Sequence, residues 1–141
     1  MNHVTSGTAR KLEDAGFPQP EMEWGQYWYS VNGHEILITG TSGRVAYGVD
    51  GSNHPYTALS PDALTFAPTA TDILEELGQD CYLFYFAPEW VCQPGIKQIG
   101  DFFSDGSSAE AAAKAYFAKA TLNGARSALA LSENTAETVT P

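Results

Sequence analysis

Basic residues are scarce. Only seven Lys and Arg stand against seventeen Asp and Glu in 141 residues, a formal net charge of −10. Between Arg44 and Lys97 there is none at all, while Asp50, Asp62, Asp72, Glu75, Glu76, Asp80 and Glu89 all fall there. A nucleic-acid binder needs cations to displace counterions from phosphates, so nucleic acid is excluded as a partner. Long apolar runs are missing too. The longest, Tyr82 to Ala87, is six residues, and a bilayer span needs about 20. No membrane partner is expected, and residues 1–11 lack the apolar segment of a secretory signal.

Cysteine is nearly absent: Cys81 and Cys92 are the two. If residues 81–87 and 90–95 form a hairpin around Pro88-Glu89, Tyr85 faces Cys92. Cys81 then lies four residues further along the same face, roughly 13 Å away at the rise of a strand. That is beyond disulfide reach, so both read as buried thiols in a reducing, cytoplasmic setting. Catalytic signatures are also missing. There is no Walker loop, no GxGxxG, no GxSxG, no HExxH and no cysteine pair at metal spacing. Gly40-Thr41-Ser42-Gly43 opens no helix and reads as a hairpin turn. No cofactor, no metal and no catalytic residue are expected.

What is present is enough for a core. The hydrophobic fraction is 43%, and aromatics make up 12% of the chain. A chain of this length can bury roughly 70% of its unfolded surface. Residues 5–15 space Ala9, Leu12 and Ala15 for a helix, stopped by Gly16, Phe17 and Pro18. Trp24–Val31 and His34–Gly40 flank Asn32-Gly33, a pair favoured in two-residue hairpin turns. In that register Tyr29 faces Ile36, and Arg44–Val49 adds a third strand. A second helix is expected from Ala70 to Leu77, with Thr69 as N-cap, Asp72 at the third position and Gly78 closing it. Cys81–Ala87 is apolar on both faces and reads as a central strand with layers above and below it. Ile96–Phe103 supplies another strand. A third helix starts at Ser107, where Glu110 completes a capping box and pairs with Lys114. The expected fold is α+β: a mostly antiparallel sheet, a three-stranded meander plus two further strands, with three helices packed on it in the order α-βββ-α-ββ-α. One domain is expected over residues 1–131, followed by a disordered tail over 132–141.

Candidate functional residues are few. The stretch 50–68 reads as the longest irregular loop, and long loops inside compact domains are disproportionately functional. Within it Asp50, Asn53 and His54 could meet a metal with His34 or Glu35, although turn chemistry by Asp and Asn accounts for the segment. Glu75 and Glu76 point outward from the second helix as a solvated acidic face suited to a basic partner. Trp24 and Trp28 share one strand face, Tyr27 and Tyr29 the other. Either both faces are covered or one is an exposed interface patch; burial is the expectation. The acidic excess otherwise serves solubility through self-repulsion.

Three stretches carry a resemblance: Lys11-Leu12 with Ala15-Gly16-Phe17-Pro18-Gln19, FAPTATDILEELG at 66–78, and SSAEAAAKAYFAK at 107–119. Together they resemble small phage and prophage proteins of the α/β/α-sandwich kind. The resemblance rests on capping and packing motifs, so it implies fold and context and carries no site residue. It implies a phage-encoded accessory protein in the bacterial cytoplasm, or a minor virion component. Such a protein would bind a host or phage protein, including a host defence protein. The alternative is a small-ligand-binding or metal-dependent enzyme using the 50–68 loop.

Overall fold

The computed structural model describes residues 2–42, 45–78, 81–94 and 102–122. Helix α1 spans Ser6–Asp14, capped by the Thr5 hydroxyl, and buries Ala9 and Leu12. It ends as its sequence requires. Gly16 takes φ +94, the Phe17 N–H reaches back to the Leu12 carbonyl, and Phe17 is buried. Helix α2, Ala70–Leu77, carries the full Thr69–Asp72 capping box. Helix α3 runs over 108–122, and its Ala109, Ala111, Ala112, Ala113 and Ala115 are all buried.

The α+β class, the three helices and the antiparallel pairing stand as expected. Among the described residues the strands number eight and divide into two sheets. The first joins β1 (Tyr27–Tyr29), β2 (Glu35–Ser42), β3 (Val45–Asp50), β4 (Pro55–Leu59) and β5 (Thr65–Ala67) in the order β4-β3-β2-β1-β5. It departs from a pure meander because β5 returns to pair with β1. The second joins β6 (Tyr82–Phe86), β7 (Glu89–Gln93) and β8 (Phe103–Asp105) in the order β6-β7-β8. The core unites Trp28, Ile36, Ile38, Phe66, Ile73 and Leu77 with the α3 alanines.

Several expectations are corrected by this arrangement. The first hairpin is displaced by one residue: Tyr29 faces Glu35, and Trp28 faces Ile36. Its loop has three residues, Val31-Asn32-Gly33, with Gly33 at φ +83, and Ser30 closes it against His34. Trp24 and Trp28 therefore do not share a strand face, since β1 begins only at Tyr27. The segment 50–68 is not one irregular loop, because it holds β4, a 3-10 turn at Pro61–Ala63, and β5. Strand β4 hides from a period-two reading because it is bulged. Ala46 faces Leu59 and Gly48 faces Tyr56, leaving one extra residue on β4, and Ala58 sits at φ +59.

The second sheet is corrected as well. Among the described residues Tyr82–Phe86 is an edge strand, not a central one. Its turn is Ala87-Pro88, so Tyr85 faces Trp90 and Leu83 faces Cys92. Cys81 becomes a diagonal neighbour of Cys92, roughly 7–8 Å away rather than four residues along the face. Both thiols are free; Cys92 is buried and Cys81 half-buried. At the start of α3, the Glu110 N–H does reach the Ser107 hydroxyl at 3.4 Å. The Ser107 N–H, however, goes to Asp105, and the Glu110 carboxylate accepts from Thr5 and Thr8 at 3.0 and 2.8 Å. Lys114 pairs with Asp105 at 3.2 Å instead of Glu110. Of the expected strand Ile96–Phe103, residues 96–101 lie outside the described residues, as does the tail 132–141, and Phe103 opens β8.

Candidate functional site: an aromatic sheet face

The residues singled out from sequence do not converge. Asp50 closes the β3–β4 hairpin. Its carboxylate accepts from the Ser52 and His54 N–H groups at 2.9 and 3.0 Å and from the Tyr56 hydroxyl at 3.1 Å. The His54 N–H above all, then that of Ser52 and the Tyr56 hydroxyl, hold its carboxyl below the ordinary carboxylate range, against the effect of burial. Asn53 stands at φ +60 in the turn, and both it and His54 are exposed. Glu35 is engaged by His3, and among the described residues no three His, Cys, Asp or Glu side chains are grouped to hold a metal. Glu75 and Glu76 are exposed on α2, as their spacing implies. Trp28 is in the core.

Trp24 stands exposed at the rim of a cleft of about 400 Å³ lined by His3, Tyr27, Phe66 and Asp72. The His3 and Asp72 side chains there are already committed. His3 is 5% exposed, its Nε2 lies 2.8 Å from a Glu35 oxygen, and its ring stacks on Tyr27 at 4.2 Å. The Asp72 carboxylate holds the Thr69 N–H and hydroxyl. Tyr29 donates to the Val4 carbonyl at 2.7 Å. Burial, with Glu35 and Glu110 adding to it, pushes its hydroxyl up to about 12. These contacts fasten the N-terminal segment across β1; they offer no poised acid, base or nucleophile. Cys92 is no better placed for chemistry. Burial, then the neighbouring Cys81 sulfur, push its thiol up to about 11, the wrong direction for a nucleophile.

The feature that sequence reasoning missed lies on the second sheet. Alternation along β6 sends Leu83 and Tyr85 to one face with Trp90, Cys92 and Phe103. Of these, Leu83, Trp90, Cys92 and Phe103 belong to the core or pack on it. The other face receives Tyr82, Phe84 and Phe86, with Val91 beside them, and by the same alternation Phe102 just ahead of β8. Tyr82 is 62% exposed, Phe84 38%, Phe86 72% and Phe102 62%. Among the described residues the charged side chain on this face is Glu89, opposite Phe86. Three large aromatic side chains on one sheet face thus meet solvent among the described residues, with Phe102 exposed just ahead of β8. The signal was present as Tyr82, Phe84 and Phe86 in alternation, but their residue types read equally well as a buried layer.

No helix among the described residues is long and apolar enough to cross a membrane. No protein-family model matches the chain, and no curated protein and no solved structure matches it.

Proposed function

We propose that this chain is a non-enzymatic accessory protein that works by binding another protein through the outer face of β6, β7 and β8. The observation that carries this reading is the exposure of Tyr82, Phe84 and Phe86 on one sheet face, with Phe102 exposed just ahead of β8. Aromatic side chains contribute disproportionately to interface cores, and large contiguous apolar patches on a protein surface mark sites of interaction. The net charge of −10, with Glu75 and Glu76 solvent-facing on α2, suits a partner of basic character that is steered by charge and anchored by aromatics. The resemblance to phage proteins adds the context of a phage or prophage gene acting in a bacterial cell. A host or phage protein is then the partner, and inhibition of a host defence protein is the narrower form of the reading. The enzymatic alternative at 50–68 has to work with a hairpin turn whose Asp50 carboxylate is already occupied.

The test is affinity capture from the host with the full chain, run beside Phe86→Ser/Phe102→Ser and Glu75→Gln/Glu76→Gln variants. A partner retained by the parent and by the glutamine variant, at reduced association rate for the latter, and lost by the serine variant supports the face. A partner held equally by the serine variant removes the face from the account. Turnover of a small substrate by the pure protein would overturn the non-enzymatic reading.

A further inference from the structure

Among the described residues the four sheet edges are not protected alike. In the first sheet, edge strand β4 opens with Pro55 and is bulged at Ala58, and edge strand β5 is three residues long. In the second, β8 is three residues long and carries Asp105. Short strands, proline, bulges and charge are the devices by which edges avoid pairing with another chain. Strand β6 has none of them. Tyr82-Leu83-Phe84-Tyr85-Phe86 is uncharged, free of proline, and in unbroken register with β7. Among the described residues, no strand pairs with its outer edge.

The direction of the free main-chain groups follows from the turn. A two-residue loop at Ala87-Pro88 makes Phe86 and Glu89 a pair that exchanges both hydrogen bonds, and the ladder alternates from there. Phe84 and Tyr82 bond β7, so the N–H and C=O groups of Leu83 and Tyr85 point to the open side. We infer that a second copy of this chain adds antiparallel at this edge, on a two-fold axis through Phe84, to make one continuous six-stranded sheet. The strand is self-complementary in that register. Leu83 meets Tyr85 of the second copy and the reverse, exchanging four main-chain hydrogen bonds. On the outer face, Tyr82 meets the second Phe86, and the two Phe84 side chains form the close, non-hydrogen-bonded pair at the axis.

Size sets the strength. Tyr82, Phe84, Tyr85 and Phe86, at 62%, 38%, 57% and 72% exposure, leave roughly 450 Å² to cover on each copy at ordinary aromatic areas. Edge pairing covers only the part of this that turns toward the second copy, so the interface stays below about 1,000 Å², the lower bound for a specific interface. The dimer is therefore weak and reversible. Pairing at the edge leaves the outer face open, so the dimer presents two aromatic faces side by side.

Sedimentation equilibrium of the full chain tests this, with far-UV circular dichroism on every variant. Reversible self-association with a dissociation constant on the order of 10–100 μM is expected. Phe84→Lys places two like charges at the axis and should weaken association at least about tenfold. Tyr85→Pro deletes an outward N–H that the monomer does not use for β7, and should act alike. Phe102→Ser, away from the edge, should leave association unchanged. A monomer throughout, including one whose own residues 123–141 occupy the edge, overturns the inference. So does a dimer that a folded Phe84→Lys variant forms equally well. Loss of the dimer with partner capture intact would leave the binding face standing without it.

Discussion

Trp24 and Trp28 lie four residues apart at opposite extremes of exposure, 78% and 0%. Gly25, at φ +90, turns the chain between them, and β1 starts at Tyr27. The Trp28 ring lies 5.4 Å from Phe66, and its Nε1 donates to the Gln26 side chain at 2.9 Å. Trp28→Ala leaves a large cavity under β2 and should cost about 3–5 kcal/mol. Trp24→Ala removes a solvent-facing ring and should change stability by no more than about 0.5 kcal/mol. Urea denaturation of the two variants beside the parent measures the contrast. Similar losses from both would mean that Trp24 is packed.

Gly48 and Ile36 give a prediction whose sign is diagnostic. A Cβ at Gly48 would stand 2.7 Å from the Ile36 Cγ2 and 2.7 Å from the Leu37 carbonyl oxygen, which is backbone and cannot swing away. Gly48→Ala should therefore destabilise by about 1–3 kcal/mol as an overpacked site. Gly7, inside α1, has open space around the corresponding position. Gly7→Ala should stabilise by up to about 1 kcal/mol through lost chain entropy in the unfolded state. Thermal melts of the two variants should shift in opposite directions. A stabilising Gly48→Ala would show that β2 and β3 lie further apart at this point.

Local features were legible in the sequence because their causes are local. Thr69, Asp72 and Gly78 bound α2 by satisfying its own terminal groups, and Gly16 with Phe17 does the same for α1. Features fixed by neighbours were not. Asn32-Gly33 fits a two-residue turn, yet of the two only Gly33 takes positive φ, and that lengthens the loop and moves the register by one. The extra residue at Ala58 breaks the period that would have revealed β4. For β6, apolar residues on both faces fit a buried strand and an exposed one equally; among the described residues no second strand lies on its open side, and no local pattern encodes that. The site suffered most. Asp50 and Trp28 belong to a turn and to the core, while Tyr82, Phe84 and Phe86 carry the pattern of an interior strand and stand exposed.

Alkaline titration tests the burial of Cys92 and Tyr29 together. The Cys92 thiol rises from an ordinary 9.0 to about 11, and the Tyr29 hydroxyl from 10.0 to about 12, burial being the main cause of each. In the unfolded chain both groups release their protons at lower pH than in the fold. Their contribution to stability is therefore complete below about pH 9 and is lost as pH climbs through about 11 and 12. Denaturation midpoints should hold steady from neutral pH to about 9 and fall beyond it, less steeply in Cys92→Ala, which lacks one of the two groups. The same burial should order the thiols. With an aromatic disulfide reagent at pH 8 and no reductant, half-buried Cys81 should react before Cys92, and denaturant should then expose both as free thiols. Equal native reactivity would place Cys92 at the surface. Finding no thiol after denaturation would mean that the two sulfurs, diagonal neighbours in the β6–β7 hairpin, had already joined.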